Sequence, residues 1–384
     1  MNAFRVRHLE NCLRLFDSHK PEEYIALDLF LKRYFDSHKK IASTDQAWIS
    51  DHCNQVVRWK GLLAQINPTK TDWAHKLQTY FKNRRWKSLS SDLKVPSHVR
   101  CSVPADLFAR LERTFGTNKA VDLCNIFNEK PRTFLRVNTL AESRDRVFKQ
   151  LVARGVPVEK SANAPAALVL SEPHTLRDLP EFRDGLFEIQ DQASQIAAMQ
   201  IKVKPGQRVL DYCAGSGGKS LVVGALMEGV GHIYLHDPRI RQLRDAKLRM
   251  KRAKISNYSI TEPGHPQLSQ LIGKCDWVIA DVPSSGSGCL RRSPDLKWIF
   301  SESKLVEFLQ LQREIFKEAL KYVKRGSGKI VYITGSIFPE ENEEQVKLFC
   351  DVHGLVISST PVSSLPQSMG MNGFYCATLE YKIV

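Results

Sequence analysis

Short β-rich runs alternate with helical segments from Gly185 to the end of the chain, and this alternation constrains the fold more than any other feature. Chains with this rhythm form a parallel sheet, because each helix carries the chain back before the next strand begins. The β-rich runs are Arg208–Tyr212, His232–His236, Trp277–Val282, Lys329–Thr334 and Phe374–Lys382. We therefore predict an α/β domain over residues 180–384, built on a doubly wound parallel sheet.

The preceding part of the chain has two other patterns. Apolar residues recur at helical spacing in Glu23–Asp36 and in the segments that flank it. Farther on, a helical pattern at Val103–Phe115 is followed by a strand pattern at Arg132–Leu140. We predict an all-α domain over residues 1–94 and a small α+β subdomain over residues 95–179.

The charge balance indicates a polyanionic partner. The 384 residues include 56 Lys and Arg against 41 Asp and Glu, a net charge of +15. Nucleic acid is the first explanation of such an excess and an anionic membrane surface the second. No run approaches the roughly 20 apolar residues that a bilayer-spanning helix needs, so we expect no membrane-spanning segment.

The first hundred residues are basic, with 18 Lys and Arg against 10 Asp and Glu. Within them, Lys82–Lys87 places Trp86 inside a basic cluster. This run fits two interpretations: a surface that holds phosphates and stacks a base, or a solvated helix end with one core tryptophan. The sequence alone leaves both open.

The nine cysteines are an odd number, and no pair of them has Cys-x-x-Cys spacing. We interpret them as reduced thiols of a cytoplasmic protein, with no metal site. The N-terminal segment Met1–Asp17 has an amphipathic helical pattern without an uninterrupted apolar core, so we expect no secretory signal.

A glycine-rich turn follows the first strand of the α/β domain. Glycines let the backbone pass close to a ligand, and the N-terminus of the next helix offers N–H groups to a polar group. A second strand ends at Asp237, where a carboxylate can accept hydrogen bonds from ribose hydroxyls. We predict a nucleoside cofactor pocket formed by Asp211, Cys213, Ala214, Gly215, Ser216, Gly217, Gly218, Lys219 and Asp237.

Both NAD and S-adenosylmethionine carry such a ribose. The turn matches neither the Gly-x-Gly-x-x-Gly pattern of dinucleotide sites nor the Gly-x-x-x-x-Gly-Lys-Ser pattern of phosphate-binding loops. Asp211 followed by Gly215 and Gly217 suits S-adenosylmethionine, as does the later strand end Asp281–Pro283. We predict S-adenosylmethionine as the cofactor and keep a dehydrogenase as an alternative.

Four segments in this order resemble the Sun/NOP family of RNA cytosine-C5 methyltransferases, of the bacterial RsmB type. They are Cys213–Lys219, Asp281–Gly288, Leu290–Trp298 and Thr334–Glu343. Weaker similarity extends to Phe134–Thr139, Gly185–Asp191, Asn372–Tyr375 and residues 26–60. The resemblance implies a class I, Rossmann-like methyltransferase domain, preceded by a NusB-like helical domain and an RNA-binding subdomain.

The resemblance also implies roles for individual residues. Asp281 would lie near the methyl-transfer centre, and Glu262 is the nearest candidate for a third cofactor-binding acid. Candidate RNA contacts are Arg136, Asn138, Arg291, Arg292 and Lys297. The alternatives for these five are a structural role at a strand edge or a salt-bridged surface loop. The implied substrate is ribosomal RNA before transfer RNA, and we expect a monomer.

The chain departs from this family at two catalytic positions. In the family, one cysteine thiolate adds to cytosine C6 and a second cysteine assists product release. Here Gly335 occupies the cysteine position of the family's Thr-Cys-Ser motif. Ser284 occupies the position after Asp-x-Pro, where the family has its second cysteine. A serine hydroxyl ionises far less readily than a thiol. Asp281 and Ser284 are the remaining catalytic candidates.

Two hypotheses follow besides the dehydrogenase. The first is an RNA methyltransferase that acts by another route or at another atom, for example an exocyclic amine or a hydroxyl with Asp281 as base. The second is a catalytically inactive protein that binds cofactor and RNA in ribosome assembly. Measurements of cofactor binding and of methyl transfer to RNA distinguish these two hypotheses.

Overall fold

The computed structural model describes residues 2–19, 24–66, 68–69, 72–83 and 85–382. The chain forms two compact units. The helical unit comprises Met1–Lys130 and Cys289–Leu305, and the sheet unit comprises Pro131–Gly288 and Val306–Val384. Glu23, the start of one predicted helix, lies outside the described residues.

The helical unit confirms the helical reading of the N-terminal segment. In α3, the buried residues Ile49, Cys53, Val56 and Val57 recur at spacings that place them on one face of the helix. The helices of the first segment are α1 Ala3–Asp17, α2 Leu27–Ser37, α3 Ser43–Arg58, α4 Lys60–Ile66, α5 Trp73–Lys82, α6 Arg85–Leu89, α7 Ser97–Arg100, α8 Ala105–Phe115 and α9 Thr117–Asn128.

The second segment of the helical unit contributes buried charged side chains. The Nζ atom of Lys297 donates hydrogen bonds to the carbonyl oxygens of Arg58 and Ser102 and to Oδ1 of Asn128, at 2.8, 3.0 and 2.9 Å. Asp295 accepts from Tyr24 Oη at 2.6 Å. Residues 289–305 are therefore an integral part of this unit.

A four-stranded antiparallel sheet opens the sheet unit, with the strand order β2-β3-β1-β4. Its first strand lies inside the predicted run at 132–140, and its last lies beyond the predicted subdomain boundary at residue 179. The division into three domains stays a prediction. The elements are β1 Phe134–Val137, α10 Arg144–Ala153, β2 Val158–Lys160, β3 Ala167–Leu170, α11 Pro180–Arg183 and β4 Phe187–Ile189.

A seven-stranded sheet follows, with the order β10-β11-β9-β8-β5-β6-β7. The Rossmann-like prediction is confirmed, although β10 and β11 are antiparallel additions to five parallel strands. The elements are α12 Gln192–Ala198, β5 Arg208–Asp211, α13 Gly218–Leu226, β6 His232–Leu235, α14 Ile240–Arg252, β7 Tyr258–Ile260, α15 Pro266–Ser269, β8 Trp277–Asp281, α17 Glu302–Leu320, β9 Lys329–Thr334, a 3₁₀ turn Pro339–Glu341, α18 Glu343–His353, β10 Leu355–Ser364 and β11 Phe374–Tyr381. The short helix α16 Leu296–Ile299 belongs to the helical unit.

The strand order places three carboxylates at one edge of the sheet. The strands β5 and β8 are neighbours, and the chain leaves them in opposite directions across the sheet. Ligands bind at such a switch point, outside the carboxyl ends of parallel strands. Asp211, Asp237 and Asp281 stand at or just after the ends of β5, β6 and β8.

Apolar residues fill both faces of the seven-stranded sheet. Val209 packs into the core on one face, and its neighbour Leu210 packs into the core on the other. This alternation follows from the two-residue period of a strand. None of the helices in the described part of the chain is both long and apolar enough to cross a bilayer.

Candidate active site

A cavity of about 620 Å³ lies in the sheet unit at the carboxyl ends of β5, β6 and β8. It brings together all the predicted cofactor residues except Gly217 and Glu262. Its lining residues are Ser194, Asp211, Tyr212, Cys213, Ala214, Gly215, Ser216, Gly218, Lys219, His236, Asp237, Pro238, Arg239, Asp281, Val282, Pro283 and Ile315.

The glycine turn has the backbone geometry that its sequence predicts. Gly215 and Gly217 have φ angles of 52° and 76°, in the left-handed region that favours glycine. At Gly217 a Cβ atom would lie 3.1 Å from Cβ of Ala246. Gly217 is therefore required for the turn and for its close approach to α14, although it does not line the cavity.

Side chains from the four-stranded sheet and from α14 support this turn. Nη1 of Arg249 donates to the carbonyl oxygen and to Oγ of Ser216, both at 2.8 Å. Nε2 of Gln190 donates to the carbonyl oxygen of Gly218 at 3.0 Å. Oε1 of Gln190 in turn accepts from Nε of Arg136 at 2.7 Å. A chain of hydrogen bonds thus joins β1 to the cofactor turn.

Arg136 and Asn138 were predicted to contact RNA, and the structure buries both. Arg136 is 4% exposed, and burial lowers its pKa to about 10. Nδ2 of Asn138 donates to the carbonyl oxygens of Gly185 and Ala253, at 3.1 and 3.0 Å. Both side chains hold the fold together, which is the structural alternative that the sequence left open.

Asp211 is the most perturbed acid of the cavity. It is 1% exposed, and its Oδ2 accepts a hydrogen bond from Oγ of Ser220 at 2.7 Å. No donor among the described residues reaches its buried Oδ1. Burial raises the pKa of Asp211 to about 7, with Ser220 and Lys219 partly opposing that rise. The cavity therefore contains a buried acceptor that a ligand N–H group would satisfy.

Asp237 has hydrogen-bond donors on both oxygens. The backbone N–H of Gly215 donates to Oδ2 at 2.9 Å, and the Arg239 side chain donates to Oδ1 and Oδ2, each at 2.8 Å. Burial opposes the charged form, but the bonds from Arg239 and Gly215 outweigh it and lower the pKa of Asp237. The Arg239 side chain is 63% exposed, so a ribose can displace it into solvent.

Lys219 and Asp281 form an ion pair across the cavity. Nζ of Lys219 contacts Oδ2 of Asp281. Burial opposes the charge on Lys219, but Asp281 outweighs it and raises the pKa of Lys219. The Asp281 side chain is 34% exposed, whereas that of Lys219 is 9% exposed. Asp281 is thus the member of the pair that a substrate can reach.

The two loops that carry Ser284 and Gly335 lie side by side. The backbone N–H of Gly288 donates to the carbonyl oxygen of Gly335 at 2.9 Å. Oγ of Ser287 lies 3.0 Å from Oγ of Ser336. Ser284 is half-buried and does not line the cavity. Its catalytic role stays a prediction.

A buried glutamate fixes the first of these loops. Ser285 donates to Glu341 from its Oγ at 2.5 Å and from its backbone N–H at 2.8 Å. Nε2 of Gln312 donates to the same carboxylate at 2.9 Å. Glu341 is 0% exposed, so its role is to hold this loop in place.

Two thiols of the sheet unit, Cys213 and Cys376, are poor nucleophiles. Cys213 lines the cavity, where burial and the neighbouring Asp281 raise its pKa. Burial also raises the pKa of Cys376, to about 12, and its Sγ lies 3.7 Å from the carbonyl oxygen of Ala197. Neither thiol has the lowered pKa of a reactive cysteine.

Four other predicted site residues lie outside the cavity. Arg291 and Lys297 are 1% and 0% exposed within the helical unit, so neither presents its charge to a phosphate in solvent. Glu262 is exposed and does not line the cavity, because β7 ends two residues before it. Arg292 is exposed, and its RNA contact stays a prediction.

Sequence reasoning missed several residues of the cavity. Tyr212, Pro238 and Arg239 are next to predicted residues or within two positions of them, so the strand ends could have indicated them. Ser194 and Ile315 come from α12 and α17, far away in sequence. No local signal marks those two positions.

Two families of domains match this chain. The 16S rRNA methyltransferase RsmB/F matches residues 198–380, and the ferredoxin-like domain of RsmF/B-like methyltransferases matches residues 103–177. The chain is 32% identical over 379 residues to the probable ribosomal RNA small subunit methyltransferase B of Synechocystis sp., covering 93% of this chain and 82% of that protein. This chain belongs to the RsmB/F family. The resemblance to RsmB-type enzymes is confirmed.

Other RsmB/F relatives are similar over a shorter range. Ribosomal RNA small subunit methyltransferase B of Pasteurella multocida is 30% identical, over 75% of this chain and 67% of that protein. The Photorhabdus laumondii protein of the same name is 29% identical, over 72% of this chain and 66% of that protein. The match thus spans about two thirds of the length of these two relatives.

Two solved structures share the fold. The crystal structure of PH0851 has a TM-score of 0.80 and 22% identity, covering 99% of both chains. A methyltransferase homologue from Pyrococcus horikoshii has a TM-score of 0.67 and 23% identity, covering 77% of this chain and 99% of that one. This chain therefore shares its fold with these two proteins.

Proposed function

We propose that this chain binds S-adenosylmethionine in the cavity and transfers its methyl group to ribosomal RNA. The observation that carries the proposal is the buried Oδ1 of Asp211 beside the glycine turn, an acceptor to which no residue in the described ranges donates. A cavity that contains such an acceptor fits a ligand with an amine. Membership of the RsmB/F family supports both the methyl donor and the RNA.

The residues of the cavity fit the cofactor at two points. Asp211 would accept from the α-amine of the cofactor, and Asp237 from the ribose hydroxyls once Arg239 moves aside. S-adenosylmethionine, when bound, supplies an electrophilic methyl group. The turn at Gly215–Gly218 lets the backbone pass close to the ligand.

The second part of the proposal concerns which group of the RNA receives the methyl group. Gly335 and Ser284 stand where the family has cysteines, and Cys213 has a raised pKa. We propose that an exocyclic amine nitrogen or a hydroxyl oxygen of the RNA would attack the methyl carbon directly, so that the new bond forms as the S–CH3 bond breaks and S-adenosylhomocysteine leaves. This route needs no thiolate adduct. The proton of that group passes to the accessible carboxylate of Asp281, while the charge of Lys219 keeps Asp281 in place.

A cationic face on α14 supports RNA as the substrate. Arg241, Arg244, Lys247 and Lys251 are exposed and recur at spacings of three and four residues along one side. The ion pairs of this helix use Arg249 and Arg252 instead, both bound to Glu188. We call Arg241, Arg244, Lys247 and Lys251 the α14 cationic face. It fits the phosphates of a polynucleotide.

The deciding experiment incubates the protein with RNA and isotope-labelled S-adenosylmethionine and identifies the nucleosides by mass spectrometry. We expect a labelled methyl group on an amine or hydroxyl, and no product with Lys219→Met or Asp281→Asn. A parallel reaction uses RNA that contains 5-azacytidine, which traps enzymes that attack cytosine C6. A trapped protein–RNA adduct would contradict the direct route.

The binding-protein alternative makes a different prediction in the same experiment. It predicts cofactor binding by calorimetry with no methylated nucleoside in any RNA class. We further propose a cytoplasmic monomer, in keeping with reduced thiols. Light scattering coupled to gel filtration checks this, since a dimer would give twice the chain mass of 43.7 kDa.

A further inference from the structure

The helical unit contains a cavity of about 640 Å³ whose walls are mainly aromatic. We call it the aromatic cavity. It lies far in sequence from every residue of the cofactor cavity. Its lining residues are Asp51, His52, Gln55, Trp59, Tyr80, Phe81, Trp86, Lys87 and Ser90.

Rings surround this cavity without filling it. The Trp59 and Trp86 ring centroids are 5.6 Å apart at 50°, and those of Tyr80 and Trp86 are 6.1 Å apart at 24°. On another side, His52 and Phe81 lie 5.7 Å apart at 30°. All of these residues except Trp86 are only half-buried. A planar ligand can therefore meet a ring face in the cavity.

Trp86 contributes a hydrogen-bond donor that no acceptor in the described part of the chain satisfies. The residue is 4% exposed, and its buried Nε1 has no acceptor. Indole N–H groups usually find a partner when they are buried. A ligand that brings an acceptor between the rings would satisfy this donor. An apolar side chain from a protein partner would leave it unpaired.

The charges around the aromatic cavity suit a nucleic acid. Nζ of Lys87 lies 5.5 Å from the Trp86 ring centroid, and the Lys87 side chain is exposed. The one acid in the lining, Asp51, forms an ion pair with Lys130 at 2.9 Å, so its charge is compensated. Gln55 adds an amide to the wall, with both a donor and an acceptor for a base edge.

We propose that the aromatic cavity binds one unpaired nucleobase of the RNA substrate. The base stacks on the rings, Nε1 of Trp86 donates to an acceptor of the base, and Lys87 meets the adjoining phosphate. This inference rests on the proposed function, because it takes RNA as the substrate. For the Lys82–Lys87 run, in which Arg84 lies outside the described residues, the proposal favours the base-stacking interpretation, and the core packing of Trp86 is the alternative that the test addresses.

The test is photo-crosslinking of a short single-stranded RNA that carries one 4-thiouridine, with the full-length protein. We expect crosslinked peptides from residues 48–90, identified by mass spectrometry. Trp86→Phe keeps the ring and removes the donor, and we expect it to weaken binding several-fold. Lys87→Ala should also reduce the slope of log affinity against log salt by about one.

Two further variants keep the proposal falsifiable if Trp86→Phe is unstable. Gln55→Ala should weaken binding of the single strand but leave a duplex of the same sequence unaffected. Lys119→Ala, an exposed change in α9, is the matched control for Lys87→Ala and should not change binding. Equal binding of duplex and single strand, or crosslinks only outside residues 48–90, would overturn the proposal.

Failure of this inference is distinguishable from failure of the proposed function. Affinity for S-adenosylmethionine should be the same in all these variants, because the aromatic cavity contains no cofactor residue. Methylated RNA without crosslinks to the cavity overturns only the nucleobase site. Crosslinks to the cavity without any methylated RNA overturn only the proposed function.

Discussion

Asp211 combines complete burial with one satisfied and one unsatisfied oxygen. Ser220 donates a hydrogen bond to Oδ2, and no described residue donates one to Oδ1. Such a carboxyl group takes up a proton more readily than one in water, which is why its pKa is about 7. A carboxylate that must accept from a cationic amine works only in its charged form. Cofactor affinity should therefore depend on pH in the neutral range.

We expect S-adenosylmethionine to bind about ten times more weakly at pH 6 than at pH 8, because about one tenth of a group with a pKa of 7 is ionised one unit below it. Titration calorimetry across this range measures the effect. Ser220→Ala removes a hydrogen bond that lowers the pKa of Asp211, so its profile should move to higher pH. An unchanged profile in that variant would assign the titration to another group.

Arg239 competes with the ribose for Asp237. Its guanidinium contacts both carboxylate oxygens, and a bound nucleoside needs those acceptors. We expect Arg239→Ala to bind S-adenosylmethionine a few-fold more tightly, and Asp237→Ala to bind it at least ten-fold more weakly. Titration calorimetry measures the affinity of each variant for S-adenosylmethionine. A loss of affinity in Arg239→Ala would mean instead that this arginine orients the carboxylate for the ribose.

At the residue scale, the sequence predicted the residues of the glycine turn well, but it did not predict which charged side chains are buried. Nearly every residue of the glycine turn lines the cavity, since backbone conformation there depends on local glycines. Charged residues such as Arg136 and Lys297 misled the prediction, because lysine and arginine are usually solvated. Their burial depends on carbonyl groups far away in sequence, such as that of Arg58, 239 positions from Lys297.

The helix α14 has two faces with different functions. Leu243, Ala246 and Met250 are buried on one face, and the α14 cationic face lies opposite. Unpaired surface cations contribute to binding mainly by releasing counterions from a polyanion. That contribution does not depend on the sequence of the RNA and is weakened by salt.

Arg244→Ala combined with Lys247→Ala should weaken RNA binding and reduce the slope of log affinity against log salt by about one to two. Cofactor affinity should remain as in the wild type. Lys202→Ala with Lys204→Ala removes the same charge from another exposed site and serves as the control. Fluorescence anisotropy over a salt series measures both. Equal slopes in the two double variants would show that α14 does not contact the RNA.

At the scale of elements, the central strands were predictable and the edge strands were not. The predicted strand Lys329–Thr334 matches β9 in full, because a strand that is buried on both faces consists almost entirely of apolar residues. The edge strand β10 is mostly exposed and rich in serine, so it carries no such pattern. Its direction depends on its pairing with β11.

On the scale of the whole molecule, the helical unit is built from two pieces of chain that the sheet unit separates. Local periodicity predicted the helices of the first piece, but no periodicity shows that residues 289–305 complete the same unit. Lys297 links the two pieces through its three hydrogen bonds. Burial lowers its pKa to about 7.

Lys297→Met should lower the free energy of unfolding by about 3 kcal/mol, because it leaves three buried acceptors without a donor. The wild type should also gain stability as pH rises above 7, since the folded protein has released this proton while the unfolded chain holds it to about pH 10.4. Urea unfolding measures both. Lys119→Met, at an exposed position, should change neither.

The split construction of the helical unit has a consequence for synthesis on the ribosome. About 160 residues separate Lys130 from Cys289, so the N-terminal helices emerge long before the segment that completes their core. At roughly 5–20 residues per second, translation leaves an interval of about 8–30 s. During that interval the carbonyl oxygens awaiting Lys297 lack their donor, and the nascent helices are open to chaperones and proteases.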